Sequence, residues 1–199
     1  SPEGTLVEIG QKEKVRTWSV CRKLFDEAVV IQSIKSGADI WLSSKPINLN
    51  IYENKVEIEI STPDGIKNLT TKVICGADGA HSWVRRTLKM GRPKETMIGM
   101  QIEVTGYNGK SGKLDMYTGS DISPGFFAWV IPSGETARVG VWSQTKYIGE
   151  KSCEDLLNEL MRNSRWAYKF KDCKEVGRFV GSVPSGILKN TTSTRVALF

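Results

Sequence analysis

The stretch that most constrains this chain is Val73-Ile74-Cys75-Gly76-Ala77-Asp78-Gly79-Ala80-His81-Ser82-Trp83-Val84-Arg85-Arg86. An apolar run stops at a glycine, an Asp-Gly pair follows, and a basic, helix-compatible segment begins. Val73 to Cys75 predicts a buried strand, and Gly76 and Gly79 let the backbone turn tightly. From Ala80 to Met90 a helix is expected, with Val84 and Leu88 one turn apart beside Arg85, Arg86 and Lys89. A strand feeding a glycine turn and a helix start is how α/β proteins hold phosphate or ribose groups. Asp78 is placed there to accept hydrogen bonds from sugar hydroxyls or from backbone donors. The same Asp-Gly pair also suits an ordinary hairpin turn, and local physics leaves both readings open.

The order Gly-Ala-Asp-Gly-x-x-Ser-x-Val-Arg-Arg resembles the Asp-Gly motif of FAD-dependent monooxygenases and reductases with the para-hydroxybenzoate hydroxylase type of fold. Among them it is most similar to the geranylgeranyl reductase family. The resemblance implies that Asp78 and Gly79 support FAD binding. A second segment, Arg22-x-x-Phe25-Asp26 followed by a helix and Gly37-Ala38, is also similar and implies an FAD-directed role for Arg22. Taken alone, Arg22 is a solvated helix-start cation, Phe25 a core aromatic, and Asp26 an acid suited to a first helical turn. By position, the backbone near Ser44-Lys45-Pro46 corresponds to one that approaches the adenine end of FAD, which brings in Pro46.

Composition narrows the class. The chain has 199 residues, 39% hydrophobic and 25% charged, as in a soluble globular protein with room for one substantial core and a second small one. No apolar run is long enough to span a bilayer and no secretory signal opens the chain, so a cytoplasmic protein is expected, peripheral on the membrane where its substrate is a lipid. The net charge is +6. Its lysines and arginines are scattered and most have an acid nearby, so nucleic acid is not an expected partner. Cys21, Cys75, Cys153 and Cys173 form no Cys-x-x-Cys pair, which argues against zinc and dithiol chemistry, and Cys75 reads as a buried strand residue. Both ends, Ser1-Pro2-Glu3-Gly4 and Arg195 to Phe199, read as interior stretches of something longer.

Read in order, Val15 to Val20 predicts a strand, and residues 21 to 36 a helix whose apolar face carries Leu24, Phe25, Ala28, Val29, Ile31 and Ile34. Strands are expected at Gly37 to Ile40, Trp41 to Asn50, Lys55 to Ser61, Asn68 to Cys75 and Met97 to Thr105. Gly109-Lys110-Ser111 is no phosphate loop, because that pattern needs a glycine where Val104 stands. It predicts a hairpin loop, with Lys113 to Tyr117 the returning strand. Pro124 to Ile131 predicts a strand covered on both faces, with Phe127, Trp129 and Ile131 on one and Phe126, Ala128 and Val130 on the other. Pro132-Ser133-Gly134-Glu135 turns it into Ala137 to Ser143, where Gly140 leaves room for a ring or another backbone. Ser152 to Asn163 predicts a helix capped by Ser152, followed by a strand at Val176 to Val183.

Phe127-x-Trp129-x-Ile131-Pro132 resembles the aromatic-x-Trp-x-aromatic-Pro motif of geranylgeranyl reductases. The resemblance implies substrate contacts for Tyr117, Phe127, Trp129, Pro132 and Gly134. Phe127 and Ile131 depart from the usual Tyr and Phe, and Gly140-Val141-Trp142 departs from the usual Gly-x-Gly, so Trp142 reshapes the pocket floor. The implied fold class is α+β, part of an α/β FAD-binding fold. Residues 1–92 belong to the FAD-binding domain, 93–183 to an antiparallel-sheet substrate domain, and 184–199 return to the first. The Gly-x-Gly-x-x-Gly loop would precede this stretch and a Gly-Asp motif would follow it, so both pyrophosphate loops would lie outside the chain. The implied function is FAD-dependent reduction of isoprenoid double bonds in prenyl lipids or diphosphates, with NAD(P)H or ferredoxin as electron donor. No residue here reads as catalytic, and His81 reads as an exposed helix-start residue. A flavin monooxygenase of aromatic or polyketide substrates is the alternative. A basic binding module without cofactor is a third.

Overall fold

A computed structural model describes residues 5–10 and 18–199. The opening Ser1 to Gly4 and the first half of the strand expected at Val15 to Val20 lie outside the described residues, and Trp18 to Val20 are irregular. The chain divides into two compact units. One holds Val20–Arg92 and Ile187–Phe199; the other holds Pro93–Gly186 with described residues of the first 19.

The first unit starts with helix α1, Arg22–Lys35, which stops at Ser36 before a left-handed Gly37. Its apolar stripe is present at helical spacing, yet none of its residues is buried, and Leu24, Phe25 and Ile34 each stand more than half exposed. The expected core role of Phe25 is therefore corrected: nothing among the described residues covers that face. No strand forms at Gly37 to Ile40, and the next begins later than expected because Ser43 takes a left-handed turn, φ 53°. Strands β1 (Lys45–Ile51), β2 (Val56–Thr62) and β3 (Gly65–Thr71) make an antiparallel meander.

The strand expected over Asn68 to Cys75 is two strands. β3 ends with its β2 partner, and β4 (Ile74–Gly76) belongs to a different sheet. Helix α2, Trp83–Thr87, is shorter than expected, because Lys89 (φ 52°) and Gly91 (φ 93°) turn the chain left-handed straight after it.

The second unit is a five-stranded antiparallel sheet. Its strands are β5 (Glu95–Thr105), β6 (Asp115–Gly119), β7 (Ser123–Ser133), β8 (Thr136–Gln144) and β9 (Lys174–Ser185), in the order β6-β7-β8-β5-β9. The β5–β6 connection is thus no hairpin: β6 pairs with β7, and β5 is flanked by β8 and β9. The loop instead docks elsewhere. Asn108 N–H donates to the Lys169 carbonyl at 2.9 Å, and a side chain at Gly106 would collide with the Asp172 carbonyl.

Strict alternation puts Ala128, Val130, Val139, Val141, Ile102 and Val104 on one face of the sheet. Helices α3 (Thr145–Ile148) and α4 (Cys153–Asn158) follow β8, and α4 runs into a π turn, Glu159–Asn163, and then a 3-10 turn, Ala167–Phe170. α4 starts with a reciprocal Ser152–Asp155 capping box, and Leu156, Leu157 and Leu160 join that face of the sheet to form the core. The covering helix expected over Ser152 to Asn163 is present, but its last turn is widened, with Ser164 N–H reaching the Glu159 carbonyl five residues back at 2.8 Å. Beside it Asp115 accepts from Lys169 Nζ at 2.7 Å and from Tyr107 Oη at 2.9 Å, tying β6 to the 3-10 turn.

The chain then returns to the first unit as β10 (Thr192–Ser193) and β11 (Val196–Leu198), the latter parallel to β4. Val84, Met90 and Val196 form the small core there, with Ile51, Ile74 and Leu198 packed around it. Cys75 points away from that core and is exposed, which corrects the expectation of a buried thiol; Ile74 and Gly76, on the other side of the pleat, take the inward positions.

Candidate functional site

Two places carry the residues singled out by sequence, one in each unit. In the first, β4 leads through Asp78-Gly79 into α2. Gly76 is needed for close packing: a Cβ there would lie 2.7 Å from Leu198 Cδ2 and 3.0 Å from Val84 Cβ. Asp78 Oδ2 accepts from the amides of Trp83 at 2.6 Å and Val84 at 3.2 Å. Ser82 Oγ accepts from the Arg85 amide at 3.0 Å. The motif's two polar residues therefore satisfy the first three amides of the helix, which would otherwise lack partners. The turn is not a hairpin. Gly79 holds φ 74°, and the space beside it is open.

The arginines of the motif are engaged locally. Arg85 Nη1 donates to the Gly91 carbonyl at 2.8 Å and Arg86 Nε to the Ser82 carbonyl at 3.2 Å. Partial burial pushes the Asp78 carboxyl up, but the Ser82 hydroxyl and the amides of Val84 and Trp83 outweigh it, so its pKa lies below the ordinary value. A carboxylate held down in the folded state stabilises the fold above its unfolded pKa and loses that contribution as pH falls through the folded value. Asp78→Ala is expected to cost about 0.5–2 kcal/mol at pH 7. The deficit should start to shrink as pH falls below about 3.9, where the carboxyl of the unfolded chain protonates, and close as pH passes through the lower folded value. Urea titrations at pH 7 and pH 3 check this, and an equal deficit at both would contradict it.

The other proposed cofactor residues stand on separate elements of the same unit. Arg22 pairs with Asp26 through Nε at 3.1 Å and Nη2 at 3.2 Å, with its side chain 75% exposed. Sequence reading assigned Asp26 to the helix dipole and missed this pair, although the four-residue spacing carries the signal. Pro46 is half-buried in β1, opposite Ile60, where the register slips before Asn48.

In the second unit the site is the sheet face opposite α4. Register places Phe127, Trp129, Gly140, Trp142, Gly99 and Gln101 on it. The space left by Gly140 is filled by the Trp129 ring, and the space over Gly99 by the Trp142 ring, each inside the reach of any side chain placed there. The two indoles stack with centroids 6.1 Å apart and planes 27° apart. Phe127 meets Trp129 edge-on at 6.1 Å. Trp129 Nε1 donates to Gln101 Oε1 at 3.3 Å, so the polar edge of the more deeply buried indole is satisfied and its face remains apolar.

The structure brings Phe127 and Trp129 together but not the other three residues grouped with them. Tyr117 pairs across from Ala128 on the opposite face, edge-on to Trp166 at 5.8 Å. Its hydroxyl donates to Asp115 at 3.3 Å, and burial together with the neighbouring Tyr107 and Asp115 pushes its pKa far up, so it stays protonated. Pro132 pairs with core Ala137, also on the opposite face, and Gly134 (φ 64°) sits in the two-residue turn. On the α4 side a cavity of about 200 Å³ is lined by Met100, Ile102, Leu157, Met161, Cys173 and Arg178, among others. Among the described residues no cluster of His, Cys, Asp or Glu is arranged to hold a metal, and no helix is long and apolar enough to cross a membrane.

Comparison with known proteins adds the following. No protein-family model matches. The digeranylgeranylglycerophospholipid reductase of Methanocella arvoryzae is 31% identical over 210 aligned positions, covering all of this chain and 51% of the relative. The enzyme of the same name from Methanocaldococcus jannaschii is 27% identical, covering 96% of this chain and 49% of the relative. The chain thus spans about half the length of the curated relatives it matches. A geranylgeranyl bacteriochlorophyll reductase-like structure from Thermoplasma acidophilum superposes with a TM-score of 0.77 at 24% identity, over 89% of this chain and 46% of that one. A flavin-dependent brominase reaches 0.76 at 17% identity, over 92% and 49%. Both show the fold, helices and antiparallel sheets from an α/β flavoprotein architecture. The identity to these reductases extends through both units, and the chain's curated homologues are thus those of the geranylgeranyl reductase family.

Proposed function

We propose that this chain is part of an FAD-dependent oxidoreductase that saturates carbon–carbon double bonds of isoprenoid chains, in prenyl lipids or prenyl diphosphates. The observation that carries the reading is the identity to digeranylgeranylglycerophospholipid reductases along essentially the whole chain. The likeness to a brominase is one of fold alone and favours no halogenation or hydroxylation.

The residues present suit the roles this assigns. The Asp-Gly turn is exposed, its backbone is fixed by the Asp78 bonds to α2, and Gly79 leaves it unobstructed. Asp78, Gly79, Arg22 and Pro46 would contact FAD, which supplies the hydride when bound, with NAD(P)H or ferredoxin as the electron source. Val20–Arg92 with Ile187–Phe199 would serve the cofactor, and Pro93–Gly186 the substrate. Phe127 and Trp129 would lie against the isoprenoid, giving it an apolar surface and keeping water from the flavin. A lipid substrate would bring the protein to the membrane surface without a spanning helix.

The test is the full-length protein, loaded with FAD and reduced by dithionite, incubated with geranylgeranyl diphosphate and with a digeranylgeranylglycerol phospholipid. Mass spectrometry should show the gain of two hydrogens for each bond reduced. Oxygen-dependent hydroxylation of an aromatic compound, with the prenyl chains returned unchanged, would overturn the proposal.

A further inference from the structure

The aromatic sheet face repeats one device twice and then leaves it unfinished. Trp129 of β7 lies over Gly140 of β8, and Trp142 of β8 lies over Gly99 of β5. Directly across from Gly99, on the edge strand β9, stands Gly181. A Cβ on Gly181 would meet no atom within 4 Å, and no bulge interrupts the pairing there, since the register shift in β9 falls near Gly177. Its same-face neighbours on β9, Phe179 and Val183, are 63% and 43% exposed. A glycine inside a strand costs stability and gives nothing to the sheet, so where neither bulge nor ring explains it, a close approach by something else does.

The surroundings say what can approach. Met97, Gly99, Phe179 and Val183 offer neither charge nor a side-chain hydrogen-bonding group toward that face. Trp142 adds only its indole N–H, the amide oxygen of nearby Gln101 is already engaged by Trp129, and among the described residues the buried Oε1 of Gln144, opposite Met97, is the one buried side-chain acceptor without a partner. A protein segment buried here would bring a run of backbone N–H and C=O groups to a face with only these two partners to offer. A methyl-branched, planar alkene brings none. We infer that Gly181 is the floor of a berth for one isoprene unit of the substrate, walled by Trp142, Phe179 and Val183. This rests on the function proposed above and specifies where on the sheet the chain lies.

The open space makes the test clean, because a larger residue at 181 fits the fold and fills only the berth. In the full-length, FAD-loaded protein, Gly181→Ala and Gly181→Leu are compared with Val180→Leu, which enlarges the neighbouring residue on the opposite face. Binding of geranylgeranyl diphosphate is followed by tryptophan fluorescence, turnover by mass, and folding by thermal melting. Gly181→Ala should raise Kd and KM by about tenfold, the scale of one misplaced methyl group in an apolar pocket, and Gly181→Leu should raise them further. Both should melt at or above the wild-type temperature, and Val180→Leu should bind and turn over as wild type does. Unchanged Kd and KM in Gly181→Leu, with wild-type turnover intact, overturns the berth alone. Lowered melting temperatures in both Gly181 variants overturn it too, since a protein segment then fills the space. If the wild type neither binds nor reduces a prenyl chain, the functional reading fails and the berth falls with it.

Discussion

Truncating Leu156 to alanine is expected to lower the unfolding free energy by about 2–5 kcal/mol, the range for deleting a large aliphatic side chain from a packed core. Leu156 has no exposed surface, and it stands on α4, which packs against β8 and β5 in the core that holds Val139, Val141 and Ile102. α4 has only six residues and could not persist in isolation, so its packing on the sheet is what keeps it folded. The cavity left by the truncation could close only if α4 shifted, and its capping box and the Asp115–Lys169 bond beyond it resist that shift. Urea denaturation should show a lower midpoint at unchanged slope. A loss under about 1 kcal/mol would mean that the helix is not a structural partner of the sheet.

The second large effect belongs to the opposite face. Gly140→Val is expected to cost about 1–3 kcal/mol, as overpacking does, because its Cβ would occupy the volume of the Trp129 ring. The ring cannot simply swing away without losing its stack on Trp142 and its bond to Gln101. Near-UV circular dichroism should report the displaced indole. A double-mutant cycle isolates the cause: in a Trp129→Ala background the valine penalty should largely vanish. If it persists there, the cost comes from the strand backbone and not from the ring. On the function proposed above, the same displacement should raise KM for a prenyl substrate, since the flat indole surface is lost.

Much of the second unit could be read from its alternating residues. The two faces of Pro124 to Ile131, the turn at Gly134 and the return strand follow from period-two patterning, and α4 from its leucine spacing and Ser152 cap. The partners of each strand did not follow. Nothing local distinguishes a β5–β6 hairpin from the observed order, because both partners of β5, β8 and β9, come later in the chain than β6. Alternation along β7 itself puts Pro132 on the face away from Phe127 and Trp129, while for Tyr117 the β6–β7 register decides, setting it opposite Ala128.

Sequence alone established the chemistry of the parts. It located the Asp-Gly turn between strand and helix, the aromatic strand, the helix that covers the sheet, and the family to which these motifs are similar. Tertiary structure decided how they are spent. It turned Asp78 and Ser82 toward the bare amides of α2, left the apolar stripe of α1 uncovered among the described residues, and laid Trp129 and Trp142 each across a glycine of the neighbouring strand. The reason is one of range. Turn and helix signals act over a few residues, while a ring finds its glycine only after strands distant in sequence have come into register, so Gly181 acquires meaning only beside Gly99.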